Sequence, residues 1–100
     1  MSEHISVKIQ AGNFWGKNGA IAETRRLAVF ALNQPGSNLI DALSPMIDIH
    51  TKAFKYSREK LETVSLSYRI LLWKRRQKKS ERALWFYHSL WRVLSFFSWI

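Results

Sequence analysis

The pattern of apolar and polar positions predicts a strand at the start of an otherwise helical chain. Ile5, Val7 and Ile9 alternate with polar residues, which is the period-two pattern of a half-buried strand. Residues 12–19 then contain three glycines and two asparagines, which favour a loop or tight turn because these residue types tolerate positive φ. We therefore expect a strand and a glycine turn within residues 1–22.

Two breaker segments divide the next part of the chain. Pro35-Gly36 is typical of a linker, and a helix that precedes it must end before the proline. We therefore expect short helices within residues 23–43. Ser44-Pro45 then favours a helix start, because serine is a good cap and proline suits the first helical position.

The last 55 residues, from Met46 onwards, contain neither Gly nor Pro. Their apolar positions recur at helical spacing, which predicts a long amphipathic helix over residues 44–79. A polar run then ends this apolar stripe, and Ser80 is a candidate cap for an aromatic C-terminal helix over residues 80–100. The expected fold is mainly α, with three or four helices in a single domain over residues 1–100. The apolar arc of the long helix is formed by Met46, Ile47, Phe54, Leu61, Val64, Tyr68, Leu71 and Leu72.

Charge and composition narrow the classes of function. Sixteen Lys and Arg against seven acidic residues give a net charge of +9, which favours polyanions, anionic membrane surfaces or acidic protein patches as partners. The chain has no cysteine, which excludes disulfides and thiolate chemistry and fits a reducing compartment. The first 25 residues contain no continuous apolar segment of the kind found in secretory signals, so we expect a cytoplasmic protein.

Candidate catalytic or metal-binding patterns are weak. The three histidines lie far apart, at positions 4, 50 and 88, and none belongs to a metal-binding pair. The spacing from Gly12 to Gly16-Lys17 is one residue short of a phosphate-binding P-loop, and Asn18 stands where that loop needs a hydroxyl. We therefore expect a non-enzymatic protein without a metal or cofactor.

The C-terminal half carries the strongest binding signals. Six cations within nine residues form a basic run that fits either a solvated helix surface or a phosphate-binding one. The aromatic residues that follow it suit base stacking or a protein interface equally well. The candidate nucleic-acid-binding residues are Lys74, Arg75, Arg76, Lys78, Lys79 and Arg82.

A second apolar stripe points towards a protein partner. Leu66, Ile70 and Trp73 are spaced to share one helix face opposite the core arc, which leaves the helix apolar on two sides. The tail over residues 83–100 has seven aromatic residues besides His88, more than a small monomer can bury. The candidate partner-binding residues are Leu66, Ile70, Trp73, Trp85 and Trp91.

A membrane role remains an alternative for the same tail. A spanning helix would have to place Arg92 inside the bilayer at a cost of about 2.5 to 3.5 kcal/mol. A helix lying in the plane of the membrane suits tryptophans beside a cationic segment better. A peripheral membrane-surface protein is therefore one of the alternative hypotheses.

In overall character the chain resembles the early-region accessory proteins of temperate phages, with the anti-RecBCD accessory proteins as the nearest comparison. The resemblance rests on a basic, tryptophan-rich, cysteine-free chain of 100 residues. It implies a non-catalytic adaptor that docks on a helicase–nuclease and alters the fate of its single-stranded product, and it assigns no site residue. The leading hypothesis is thus an adaptor for a larger nucleic-acid-processing assembly, and the first alternative is direct binding of single-stranded or other nucleic acid.

Overall fold

Four helices follow one another in the computed structural model, which describes the backbone of residues 2–99 and the side chains of residues 5–97. They are α1 (Ser2–Gln10), α2 (Ala20–Leu32), α3 (Leu39–Thr63) and α4 (Ser67–Trp99). The molecule is about 50 Å long, as expected for the 33 residues of α4 at about 1.5 Å per residue. The predicted mainly α fold is confirmed.

The predicted N-terminal strand is wrong, because its residues form α1. Ile5 and Ile9 lie one helical turn apart and pack against the core, whereas Val7 is 64% exposed. Residues 2–99 contain no strand with which this segment could pair, so an extended segment here would leave its backbone N–H and C=O groups without partners. A helix satisfies these groups within the segment itself.

The glycine turn lies where it was predicted and folds back on the start of α2. The Ala20 N–H donates to the Asn13 carbonyl at 2.8 Å. Gly19 allows this close approach, because a Cβ there would lie 2.5 Å from the carbonyl oxygens of Phe14 and Trp15. The turn therefore holds both aromatic side chains against the helices.

The predicted helix start at Ser44 is also wrong, since α3 begins at Leu39. Asn38 caps this end, and its side chain accepts a hydrogen bond from the Ile40 N–H at 3.0 Å. Pro45 lies inside α3 at an exposed position, where the missing N–H costs the helix only one backbone hydrogen bond.

The junction between the two long helices lies at residues 64–66 and not near Ser80. Val64 has extended backbone angles and ends α3, and α4 then continues through the whole basic run. Lys, Arg and Gln are good helix formers, so the run contains nothing that stops a helix. The predicted helices over residues 44–79 and 80–100 are therefore replaced by α3 and α4.

The helices α3 and α4 pack against each other in antiparallel fashion. Tyr56 contacts Trp73 and, further along, His50 stacks on Tyr87. Small side chains are buried along both helices, which lets packed helices approach closely. These are Ala53, Ser57 and Ser80.

The core is completed by α2 and the glycine turn. One cluster joins the turn, α2 and α3, and a second joins α2 to the first half of α3, with Tyr87 of α4 packed on it. The first cluster contains Phe14, Ala20, Ile21, Ile49 and Ala53, and the second contains Ala28, Ala42 and Met46.

Candidate partner-binding surface

Trp73 is held in contacts within the protein. Its ring centroid lies 5.5 Å from that of Trp15 and 5.7 Å from that of Tyr56. The Arg76 guanidinium lies 4.8 Å from the Trp73 ring and 4.9 Å from the Trp15 ring. We call Phe14, Trp15, Tyr56, Trp73 and Arg76 the inner aromatic cluster. Two residues predicted to bind a partner or nucleic acid, Trp73 and Arg76, thus make intramolecular contacts here.

The other predicted partner-binding residues are dispersed. Leu66 precedes α4 and is 51% exposed, so the predicted stripe through Ile70 to Trp73 does not start on the helix. Ile70 is half-buried. Trp91 lies one turn beyond Tyr87 on the side of α4 that faces α3, and 42% of it remains exposed. Only Trp85, at 74% exposed, points fully into solvent.

The outward side of α4 carries an apolar surface in its C-terminal half. At about 100° per residue, its members lie within an arc of about 120° opposite the side that carries Trp73 and Tyr87. Each is at least half exposed. We call this surface the outer aromatic face; it consists of Trp85, Phe86, Val93, Phe96 and Phe97. The side chain of Trp99, another aromatic residue of the tail, lies outside the described residues.

Part of the basic run continues this face towards the N-terminus of α4. Arg75, Lys78 and Arg82 occupy the same outward arc and are exposed, and we call them the basic band. Lys74 is exposed on the flank of the helix. Lys79 lies at the opposite edge of this arc, five helical turns before Phe97, and it also lines a cavity. Five of the six predicted nucleic-acid-binding residues are therefore exposed on or beside the outward side of α4, and Arg76 is the one that turns inward.

The cavity beside Lys79 was not predicted from the sequence. It has a volume of about 180 Å³ and lies between the glycine turn, α2, α3 and α4. His50 lines it, stacks on Tyr87 at 5.7 Å and has no hydrogen-bond partner for Nδ1 among the described residues. Burial, and then the charges of Arg25 and Lys79, lower the pKa of His50 to about 4. The sequence signal was His50 itself, which interrupts the apolar arc of its helix.

A larger apolar groove of about 590 Å³ runs between α1, α2 and α3. Ile5, Ile9 and Leu27 contribute to its walls, and Asp41 and Asp48 lie at its edge. The groove was not predicted, because it forms only if α1 is a helix and the sequence pattern indicated a strand there. The spacing of four residues between Ile5 and Ile9 was the signal that could have indicated a helix.

The described part of the chain contains neither a cluster of metal ligands nor a membrane-spanning helix. Within the described side chains, no three His, Asp or Glu residues come close enough together to hold a metal ion. Across residues 2–99, none of the helices combines the length and apolar character needed to span a bilayer. His4, one of the three histidines considered above, has its side chain outside the described residues.

Comparison with known proteins identifies no relative. No protein-family model, curated protein or solved structure matches this chain significantly.

Proposed function

We propose that this chain is a non-catalytic adaptor that docks onto a larger nucleic-acid-processing assembly through the outer aromatic face of α4. The observation that carries the proposal is the exposure of five large apolar side chains on one side of a helix whose other side already packs against α3. Apolar surface of this extent is costly in water and typically marks an interaction site. Trp85 is the anchor we propose, because exposed tryptophans often dominate protein interfaces.

The basic band indicates the charge of the partner. Arg75, Lys78 and Arg82 lie on the same side of α4 as the aromatic face, so a partner that covers both must present an anionic zone beside an apolar one. Acidic protein surfaces and nucleic acid bound by a protein both satisfy this requirement. The resemblance to phage anti-RecBCD accessory proteins makes a host recombination nuclease in the cytoplasm the first partner to test.

Direct binding of nucleic acid is the second candidate, because five of the six cations in the basic run are exposed. If all five neutralise phosphates, log affinity should fall with log salt at a slope of about −4. A third candidate, docking on an anionic membrane surface, draws on the same aromatic and basic side chains. Vesicle binding by purified protein, followed through tryptophan emission, distinguishes this candidate from the other two.

The test is affinity purification from a nuclease-treated cytoplasmic extract, followed by binding measurements with the captured protein. Trp85→Ala should weaken binding by about 2 kcal/mol, or about 30-fold, because it removes the most exposed ring of the outer aromatic face. Phe97→Ala should also weaken binding. Phe30→Ala is the matched control, since Phe30 on α2 and Phe97 on α4 are both 63% exposed.

Two outcomes would contradict the adaptor proposal. One is capture that disappears on nuclease treatment, which would identify a nucleic acid as the ligand. The other is unchanged partner binding by folded Trp85→Ala and Phe97→Ala proteins, which would place the interface elsewhere.

A further inference from the structure

The cavity beside His50 has a cationic rim. Arg25 of α2 and Lys79 of α4 line it, and both side chains are exposed to solvent. None of the described side chains that line it is acidic. The positive charge at this cavity is therefore not balanced by a carboxylate in its walls.

The residues that carry the buried polar atoms without partners line the same cavity. Among the described side chains, three such atoms have no hydrogen-bond partner: Trp15 Nε1, His50 Nδ1 and Ser80 Oγ. All three residues line this cavity, although they come from the glycine turn, α3 and α4. His50 is 5% exposed and Ser80 is 1% exposed. These buried polar groups therefore lie beside the cavity with unused hydrogen-bonding capacity.

The start of α2 forms part of the cavity wall, and its first N–H groups already donate to the glycine turn, Ala20 to the Asn13 carbonyl and Ile21 to the Phe14 carbonyl. Ile21 and Ala22, in the first turn of this 13-residue helix, also line the cavity.

We propose that this cavity is a binding site for a phosphate group. Phosphate oxygens accept hydrogen bonds, so one group can engage the guanidinium of Arg25, the ammonium of Lys79 and a nearby polar side chain together. The volume of about 180 Å³ is much larger than the space a single buried water needs, so the cavity has room for one phosphate group. This site is separate from the outer aromatic face and does not depend on the proposed function.

The lowered pKa of His50 agrees with the position of two cations at the rim of the cavity. Burial is the main cause of its lowered pKa, and the next causes are Arg25 and Lys79, so the positive potential of both side chains reaches the cavity wall. The groups that face His50 are thus Arg25 from α2 and Lys79 and Tyr87 from α4. A bound phosphate would offset the two cations and should raise the pKa of His50.

The experiment is a titration of the full chain with inorganic phosphate at pH 7 and constant ionic strength, followed by NMR of the tryptophan indole N–H groups. We expect a saturable shift of the Trp15 indole signal and no shift of the Trp85 signal. Arg25→Gln and Lys79→Gln should each weaken binding at least tenfold. Lys78→Gln, which removes the same charge from the adjacent residue on the outward side, should leave affinity within about twofold.

Ser80→Ala provides a variant that separates binding from folding. Removing an unpartnered buried hydroxyl should leave the protein at least as stable in phosphate-free buffer, while phosphate affinity falls. A variant that is less stable and binds phosphate normally would show that the hydroxyl serves packing, and would overturn the site as described.

Two further ligands identify the source of the phosphate group. A nucleoside 5′-monophosphate and a short single-stranded oligonucleotide are titrated in the same way. Saturation by all three ligands supports a site for a free phosphate group, and saturation by the oligonucleotide alone supports a backbone phosphate as the ligand. The proposal is overturned if no ligand shifts the Trp15 signal, or if Lys78→Gln weakens binding as much as Lys79→Gln.

Discussion

The inner aromatic cluster and the outer aromatic face contain similar residue types and both include side chains of α4, yet they face opposite surroundings. In the inner cluster, Trp73 meets Trp15 from the glycine turn and Tyr56 from α3, and Arg76 stacks on two of these rings. On the outer face, Trp85 lies three residues after the basic run and is 74% exposed. Trp73 packs inside the protein and Trp85 faces solvent, and the side of α4 on which each tryptophan lies decides between these two roles. Composition alone does not distinguish them.

The comparison also shows what holds the inner side of α4 in place. The glycine turn supplies Phe14 and Trp15, and their rings contact each other and Tyr56 at centroid distances of 5.5 to 6.4 Å. Rings at this spacing and in tilted or edge-on geometry attract each other beyond the area they bury. No described side chain from the turn, α1 or α2 lines the outer face in the same way, so its rings are available to a second molecule.

The largest expected effect is the contrast between two tryptophan truncations. Trp73→Ala removes a half-buried ring from the inner cluster and should lower the free energy of unfolding by about 3 kcal/mol. Trp85→Ala removes an exposed ring and should change it by no more than about 0.5 kcal/mol. Urea unfolding of the isolated protein measures both values. Equal losses would show that the outer face also packs within the chain.

The sequence predicted the helical class correctly but assigned several residues to the wrong side of a helix. The polar residues His50 and Ser57 lie within the span of the predicted apolar arc and both are buried, whereas Tyr68 and Leu71 of that arc are more than half exposed. Small side chains are buried at this helix contact because they allow the two helices to approach closely. A pattern of hydrophobic positions does not reveal this requirement for small size. Pairing α3 with α4 depends on a junction at residues 64–66, which no Gly or Pro marks.

The candidate site was predictable only in part. Trp85 and the exposed cations of the basic run could be selected from local sequence, because their setting is a solvent-facing helix. The roles of Trp73 and Arg76 depend on Trp15, which is more than fifty residues away in the chain. Contacts at that separation are set by tertiary packing, so local periodicity does not contain them.

The second-largest expected effect on stability tests whether water is excluded from the contact between α3 and α4 as far as Tyr87. His50 stacks on that ring, and burial lowers its pKa in the folded protein from the ordinary value of 6.5 to about 4. The unfolded chain therefore binds more protons between these values, so stability is lost as the pH falls through this window. We expect about 2 kcal/mol of loss between pH 7 and pH 5 from this group.

His50→Gln removes the titrating group, so the variant isolates this contribution. Urea unfolding of both proteins at pH 7 and pH 5 gives the difference directly. If both proteins lose the same stability, His50 is solvated, and the seam between α3 and α4 is open at Tyr87.

The smallest expected effect separates two adjacent arginines that the sequence alone cannot distinguish. Arg76 stacks on the rings of Trp15 and Trp73, whereas Arg75 is exposed in the basic band. Arg76→Ala should lower the free energy of unfolding by about 1 kcal/mol, because a partly buried cation–π contact and the packing of its aliphatic stem are lost. Arg75→Ala removes the same charge and should leave stability nearly unchanged, while slowing association with an anionic partner. Unfolding and association-rate measurements on both variants test this assignment. The opposite ranking would mean that the basic run faces α3 through Arg75 and that Arg76 belongs to the partner-binding surface.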